Sequence, residues 1–207
     1  MIVGICGGTG SGKTTMANAL VERIGAHAIN LIEQDSYYKN LSSLPLDERR
    51  VANFDHPDSL DIDNLAADLK SLKAGNTVEI PVYDFTTHTR KSEPLVLSPK
   101  PVTVLEGILI LSIAELREQM DIKVYLDTSS DTRLLRRIKR DIQERGRTLE
   151  QTLLQYETTI RPMHHEYVEP TKEFADIVVP EGGHRGLLVD MLAALIESEM
   201  KRSVTTI

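Results

Sequence analysis

The run Gly7-Gly8-Thr9-Gly10-Ser11-Gly12-Lys13-Thr14 fits the pattern G-x-x-x-x-G-K-[ST] without adjustment. In such a loop the backbone N–H groups turn inward and cradle phosphate oxygens, which needs glycines for close approach and unusual dihedrals. The helix that follows adds its positive N-terminal end. Lys13 is then expected to reach the β- and γ-phosphates, and the Thr14 hydroxyl to ligate Mg²⁺. The surroundings meet the requirement. Ile2-Val3-Gly4-Ile5-Cys6 reads as a buried strand before the loop. Met16, Ala17, Leu20, Val21 and Ile24 then repeat with helical spacing up to Gly25, a natural C-terminal stop. Nucleotide binding follows from this; the reaction does not, because kinases, ATPases and GTPases share the motif.

Strands and helices alternate along the rest of the chain, which implies a parallel sheet covered on both faces. Ala28–Ile32 reads as a second strand, Val102–Leu105 as a third, Val124–Leu126 as a fourth and Ile177–Val179 as the last. Leu65, Leu69 and Leu72 mark a helix ending before Gly75. Val78–Phe85 is strand-like but holds Pro81, so an edge position is expected. Asp131 is expected to cap a helix whose apolar positions are Leu134, Leu135, Ile138 and Ile142. Gly186–Met200 reads as the final helix. No linker divides the 207 residues, so one α/β domain is expected over 1–207, with insertions at about 37–61 and 78–98 and a lid at about 137–155.

Charge narrows the partners. The net charge of −7 argues against non-specific nucleic-acid binding. Yet Arg133, Arg136, Arg137, Lys139, Arg140, Arg145 and Arg147 face only Asp141 and Glu144 in one short segment, a local +5. A basic island in an acidic chain suits anionic ligand recognition; a solvated helix face is the plainer reading. Arg145-Gly146-Arg147 sets a flexible joint between two cations, the form expected of a lid closing on phosphates. The single cysteine, Cys6, excludes an internal disulfide and reads as a small buried hydrophobe. With no apolar run long enough to span a bilayer and no signal-like start, a cytoplasmic location is expected.

Ligands of open α/β sheets bind beyond the carboxyl ends of the strands. Two acids are expected there: Asp35, closing the second strand, and Glu106, closing the third. If both strands flank the loop strand, one acid can hold metal-bound water and the other can accept the proton of an attacking hydroxyl. A cap or turn acid is the alternative for each. No N-K-x-D motif reads a guanine base, and no H-R-D loop marks a protein kinase. His164-His165-Glu166 lacks the H-E-x-x-H spacing and reads as ordinary helix surface.

Taken together, GGTGSGKTT, QDSYY, NFDHPDSLD, IPVYDFTTHTR, LEGIL, DTRLLRRIKRDIQERGRTLEQTLLQY, RPMHHEYVEPTKEFADIVVP and the Gly182-Gly183 turn resemble the uridine kinase (uridine–cytidine kinase) family over nearly the whole length. The resemblance implies transfer of the γ-phosphoryl group of ATP or GTP to the 5′-hydroxyl of uridine or cytidine, with Mg²⁺, in pyrimidine salvage. It implies Asp35 as catalytic base and Lys13 and Arg145 as charge stabilisers. The donor would be held by Gly7, Gly8, Thr9, Gly10, Ser11, Gly12, Lys13, Thr14, Thr15 and Arg145. Thr14, Glu106 and Asp35 would attend the metal. Asp55 would take the ribose hydroxyls, Tyr83, Phe85 and His88 the pyrimidine, and Arg137, Arg147 and Gln155 further substrate contacts. It also implies a homotetramer.

The residues agree on their own terms. A carboxylate such as Asp55 accepts two hydrogen bonds from adjacent hydroxyls, although Asp58 and Asp61 lie close by in sequence. Tyr83, Phe85 and His88 offer ring faces and polar edges in a chain with only nine Tyr and Phe residues; core packing is the generic alternative for Phe85. Two competing readings stay open: a kinase for another small alcohol, of the pantothenate or ribulose phosphate type, and a nucleotide-dependent switch with no acceptor.

Overall fold

The computed structural model describes residues 1–181 and 185–205; the Gly182-Gly183 turn and His184 lie outside the described residues. In chain order the elements begin with β1 (Ile2–Cys6), α1 (Lys13–Ile24), β2 (Ile29–Glu33), α2 (Leu46–Arg50) and α3 (Ile62–Lys73). Four short strands follow: β3 (Val78–Ile80), β4 (Tyr83–Asp84), β5 (Thr89–Arg90) and β6 (Leu95–Leu97). The second half holds β7 (Val102–Glu106), α4 (Ala114–Arg117), β8 (Ile122–Asp127), α5 (Ser130–Gln143), α6 (Leu149–Gln155), α7 (Arg161–Met163), β9 (Ile177–Pro180) and α8 (Arg185–Thr205).

The main sheet has the order β2-β7-β1-β8-β9, and every pairing in it is parallel. Alternation along β1 splits the core in two. Ile2 and Cys6 join Leu65, Leu69, Leu105 and Leu109 on one face. Val3 and Ile5 join Met16, Leu20, Val104, Val124 and Leu192 on the other. Gly4 leaves room for this packing: a Cβ there would stand 2.3 Å from the Met120 sulfur, and that side chain would have to shift.

Several expectations are corrected. β2 does not flank β1; β7 lies between them, so only Glu106 neighbours the loop strand. β2 runs Ile29–Glu33, and Asp35 falls beyond it in a 3₁₀ turn, Gln34–Tyr37. Val78–Phe85 is not an edge strand of the main sheet. It breaks at Pro81-Val82 into β3, which pairs with β6, and β4, which pairs with β5, both antiparallel. Ser129 rather than Asp131 occupies the N-cap of α5; Asp131 sits in its first turn. The last helix extends beyond the expected Gly186–Met200 at both ends.

The largest correction concerns α5. Its buried residues are Arg133, Arg137 and Asp141, spaced i, i+4, whereas Leu135 and Ile142 are exposed. The helix turns its charged face inward. From Leu149 to Phe174 the chain stays helical, but its hydrogen bonding widens to π-type at Tyr156–Ile160 and His164–Val168.

Residues 37–61 form a pinched loop. A Tyr38–Leu60 bridge closes its neck, with Lys39 N donating to Ser59 O (2.8 Å) and Asp61 N to Tyr37 O (2.9 Å). Arg90 locks this neck: both guanidinium NH₂ groups donate to Asp61 Oδ2 at 3.1 Å, and Nε donates to the Tyr38 carbonyl at 2.8 Å.

Candidate active site

Register aligns the first components. Ile5, Glu106 and Glu33 are partners across β1, β7 and β2, so the phosphate loop and both acidic strand ends open on one edge. The loop leaves β1 through Gly7, Gly10 and Gly12, all at positive φ. A Cβ on Gly10 would stand 2.5 Å from the Arg133 carbonyl oxygen, so bare backbone is needed there twice over, by conformation and by space. The Lys13 ammonium arches back to donate to Gly8 O at 3.3 Å. The Thr14 hydroxyl donates to Glu106 Oε1 at 2.6 Å. Burial raises the Glu106 pKa, while the Lys13 charge and the Thr14 hydrogen bond pull it back.

These groups fit a magnesium–phosphate complex. Among the described residues no cluster of three or more His, Cys, Asp or Glu is arranged to hold a metal. Mg²⁺ needs none, since it is ordinarily bound by one or two carboxylates, substrate phosphates and waters. The Thr14–Glu106 pair beside the loop supplies that donor set.

Asp35 stands at the meeting point of the remaining pieces. Its charge acts on Glu106, on Asp55, on the Tyr38 and Tyr83 phenols and on Arg145. Asp55 is buried, and its pKa is raised by that burial, with Asp35 adding to the rise and Arg137 and Lys13 opposing it. Its sequence neighbours separate cleanly from it: Asp61 is committed to Arg90, and the Asp58 side chain is 90% exposed.

An aromatic wall rises beside these acids. Tyr83 packs edge-on against Tyr38 (5.3 Å) and Phe85 (5.3 Å). Phe54 meets Tyr38 at 5.0 Å and stacks on His88 at 5.1 Å. Phe85 is 37% exposed, so core packing does not account for it. The Tyr83 hydroxyl is buried with no hydrogen-bond partner, an orphan that a ligand can satisfy. Burial and Asp35 push its pKa up to about 12, so it stays a donor. His88 has φ 54°, and burial followed by Arg147, Arg50 and Arg145 lowers its pKa, which keeps the imidazole neutral at pH 7. Tyr38 and Phe54 were not singled out from sequence, although both sit inside the motifs QDSYY and NFDHPD.

The basic segment closes the site from above. Arg137 donates through one NH₂ group to Thr9 Oγ1 (3.0 Å) and through the other to Gln155 Oε1 (3.0 Å). Arg147 reaches the same Gln155 oxygen at 2.6 Å. Burial pushes the Arg137 pKa down to about 10, against the opposing charge of Asp141, leaving it cationic at neutral pH. Arg145 lies over the Phe85 ring at 4.8 Å. Within the basic run, Arg136 and Lys139 are exposed, as a solvated face requires, but Arg140 pairs with Asp141 at 3.0 Å. His164 is not simple helix surface either. Its Nε2 lies 3.0 Å from an Arg133 NH₂ group, and burial together with Arg133 lowers its pKa to about 4. Cys6 is fully buried, its thiol pushed up by that burial, and it donates to the Ile108 carbonyl at 3.3 Å. Among the described residues no helix is long and apolar enough to cross a membrane.

Comparison with known proteins follows this geometry. The model of the phosphoribulokinase/uridine kinase family matches residues 2–187. A uridine kinase of Ligilactobacillus salivarius is 45% identical over 202 residues, covering 98% of this chain and 95% of that protein. A uridine kinase of Chloroflexus aurantiacus is 48% identical over 201 residues, covering 97% and 96%. Among solved structures, phosphoribulokinase from Rhodobacter spheroides superposes with a TM-score of 0.63 at 13% identity, over 86% of this chain and 69% of that one. D-glycerate 3-kinase from Cryptococcus neoformans gives 0.62 at 18%, over 83% and 79%; at such identities the likeness is one of fold. With its phosphate loop, its strand-end acids and the match across residues 2–187, this chain belongs to the phosphoribulokinase/uridine kinase family.

Proposed function

We propose that this chain is a nucleoside kinase. It transfers the γ-phosphoryl group of ATP or GTP to the 5′-hydroxyl of uridine or cytidine, giving UMP or CMP. One observation carries the reading: the buried, unpartnered Tyr83 hydroxyl stands in an aromatic wall beside Asp35 and Asp55, next to a complete phosphate loop. A phosphate loop alone asks for a donor. The wall and the paired acids ask for an acceptor with a flat ring and a polyol. The uridine kinases that are 45% and 48% identical along nearly their whole length support the same choice.

The roles follow from position. Tyr83 and Phe85 flank the pyrimidine, and neutral His88 offers its edge a hydrogen bond. Asp55 takes the ribose hydroxyls, with Arg137, Arg147 and Gln155 closing the substrate side. Asp35 accepts the proton of the attacking 5′-hydroxyl. Lys13 and Arg145 meet the charge on the transferring group from two sides, and water is excluded when α5 covers the loop. Thr14, Glu106 and Asp35 would hold Mg²⁺, which when bound would supply neutralisation of the donor's phosphate charge. Whole-chain action as one domain, homotetrameric assembly, and a cytoplasmic place in pyrimidine salvage rest on the family resemblance.

The test is turnover on a panel of alcohols, with Asp35→Asn as the control. Uridine or cytidine should be phosphorylated. The variant should lose about 10²-fold or more in kcat while donor affinity changes little. Inert nucleosides beside an active pantothenate or sugar phosphate would move the assignment to another alcohol. Near-normal turnover in the variant would remove Asp35 from its role.

A further inference from the structure

Asp141 is fully buried on α5, and four arginines converge on its carboxylate. Oδ1 receives Arg140 at 3.0 Å and faces Arg145 at 3.8 Å; Oδ2 receives Arg147 at 3.0 Å and faces Arg137 at 3.3 Å. The Arg147 backbone N–H also donates to the Asp141 carbonyl at 3.0 Å, and Gly146, at φ 63°, provides the turn that brings Arg147 back to the acid that Arg145 reaches at i, i+4 spacing. Burial alone would raise the Asp141 pKa, but Arg137, Arg140 and Arg145 overcome it and hold the carboxyl below its ordinary range.

The cations gathered here are those that face the site. Arg137 and Arg140 extend to Thr9 Oγ1 at 3.0 and 3.5 Å, and Arg145 lies over Phe85. Arg137 and Arg147 share Gln155. Four guanidinium groups at such spacing repel one another, and Asp141 is the counter-ion that all four share. One carboxylate neutralises a single charge, and even with Asp35 facing Arg145 and Asp55 facing Arg137 the four guanidinium groups keep a net positive charge for a polyphosphate.

We propose that Asp141 is a positioning residue for phosphoryl transfer: it holds Arg137, Arg140, Arg145 and Arg147 as a preassembled cage above the phosphate loop. It acts through these arginines rather than by touching the reacting atoms. The inference rests on the kinase reading above and deepens it.

The experiment compares the full chain with Asp141→Asn, which keeps shape and removes the charge. Three readouts are taken: kcat and KM for uridine, tripolyphosphate affinity by calorimetry, and Tm. Misplacing catalytic groups by about 1 Å can cost about 10²-fold, so kcat is expected to fall by that order and the uridine KM to rise. Tripolyphosphate should bind several-fold more weakly, because the arginines are no longer held together to receive it, even though a competing negative charge is gone. A merely structural acid would lower Tm and leave that affinity unchanged or tighter. Wild-type kcat, or unchanged or tighter tripolyphosphate binding, in folded Asp141→Asn overturns the proposal. Should that variant not fold, Arg140→Gln with Asp141→Asn restores the local charge balance. There kcat is expected to stay at least about tenfold low, and wild-type kcat overturns the proposal. The kinase reading fails separately, if the unaltered chain is inert on nucleosides, and the tripolyphosphate titration still reports on the cage.

Discussion

Helices α1 and α5 approach the same phosphate loop, yet they are built on opposite rules. α1 buries Met16, Ala17 and Leu20 and meets the loop through its N-terminus. α5 buries Arg133, Arg137 and Asp141 and leaves Leu135 and Ile142 in solvent. The first is held by apolar burial and contributes backbone dipoles. The second is held by charge on the loop itself, with Arg136 donating to the Gly10 carbonyl at 3.3 Å and Arg137 to Thr9. A buried face of two arginines and an aspartate is expensive as a core and sensible as a ligand surface. One helix is scaffold and the other is site.

The contrast predicts a separation of rate from stability. The largest effect is expected from Arg137→Met, which removes the contact to Thr9 and Gln155. kcat/KM for uridine should fall about 10²- to 10³-fold, while Tm moves little because Asp141 keeps Arg140 and Arg147. Leu20→Ala on α1 should do the reverse: about 2–5 kcal/mol lost in urea unfolding, with kcat of the folded enzyme retained. Leu135→Ala, on the exposed face of α5, should stay within about 0.5 kcal/mol. A loss from Leu135→Ala as large as that from Leu20→Ala would mean that α5 packs on its apolar side after all.

A smaller effect concerns His164, packed against Arg133. Its folded pKa of about 4 lies below the unfolded value near 6.5. The unfolded chain therefore binds the extra proton between these values, and stability rises with pH across that window. The contribution is complete above about pH 6.5 and is lost as pH falls toward 4. Tm of the parent should drop more steeply over this range than Tm of His164→Gln. Parallel curves would show that His164 does not titrate with unfolding.

The scaffold was legible because its signals are contiguous. The phosphate loop is one octapeptide, and β1, β7 and β8 are short apolar runs, as buried parallel strands must be. The order of the sheet was not, since nothing in the runs Ile29–Glu33 and Val102–Glu106 says which lies next to β1. Hydrophobic periodicity failed at α5 for a physical reason. It assumes that the inward face is apolar, and here that face meets a phosphate site. Asp141 read as one of two acids diluting a basic run, because Arg137 and Arg145 reach it only at helical i, i+4 spacing with its face turned inward, and Arg147 only through the turn at Gly146. Tyr38 and Phe54 were hidden likewise, one at the neck and one on the far arm of the 37–61 loop.

The central place of β1 has a consequence for synthesis. Its neighbours, Val102–Glu106 and Ile122–Asp127, are translated long after residues 2–6. Until about half of the polypeptide has left the ribosome the first strand has nothing to pair with, and until about three-fifths has left it lacks its second neighbour. Nascent fragments shorter than about 130 residues, by this logic of distant pairing, should neither retain a nucleoside triphosphate nor resist proteases.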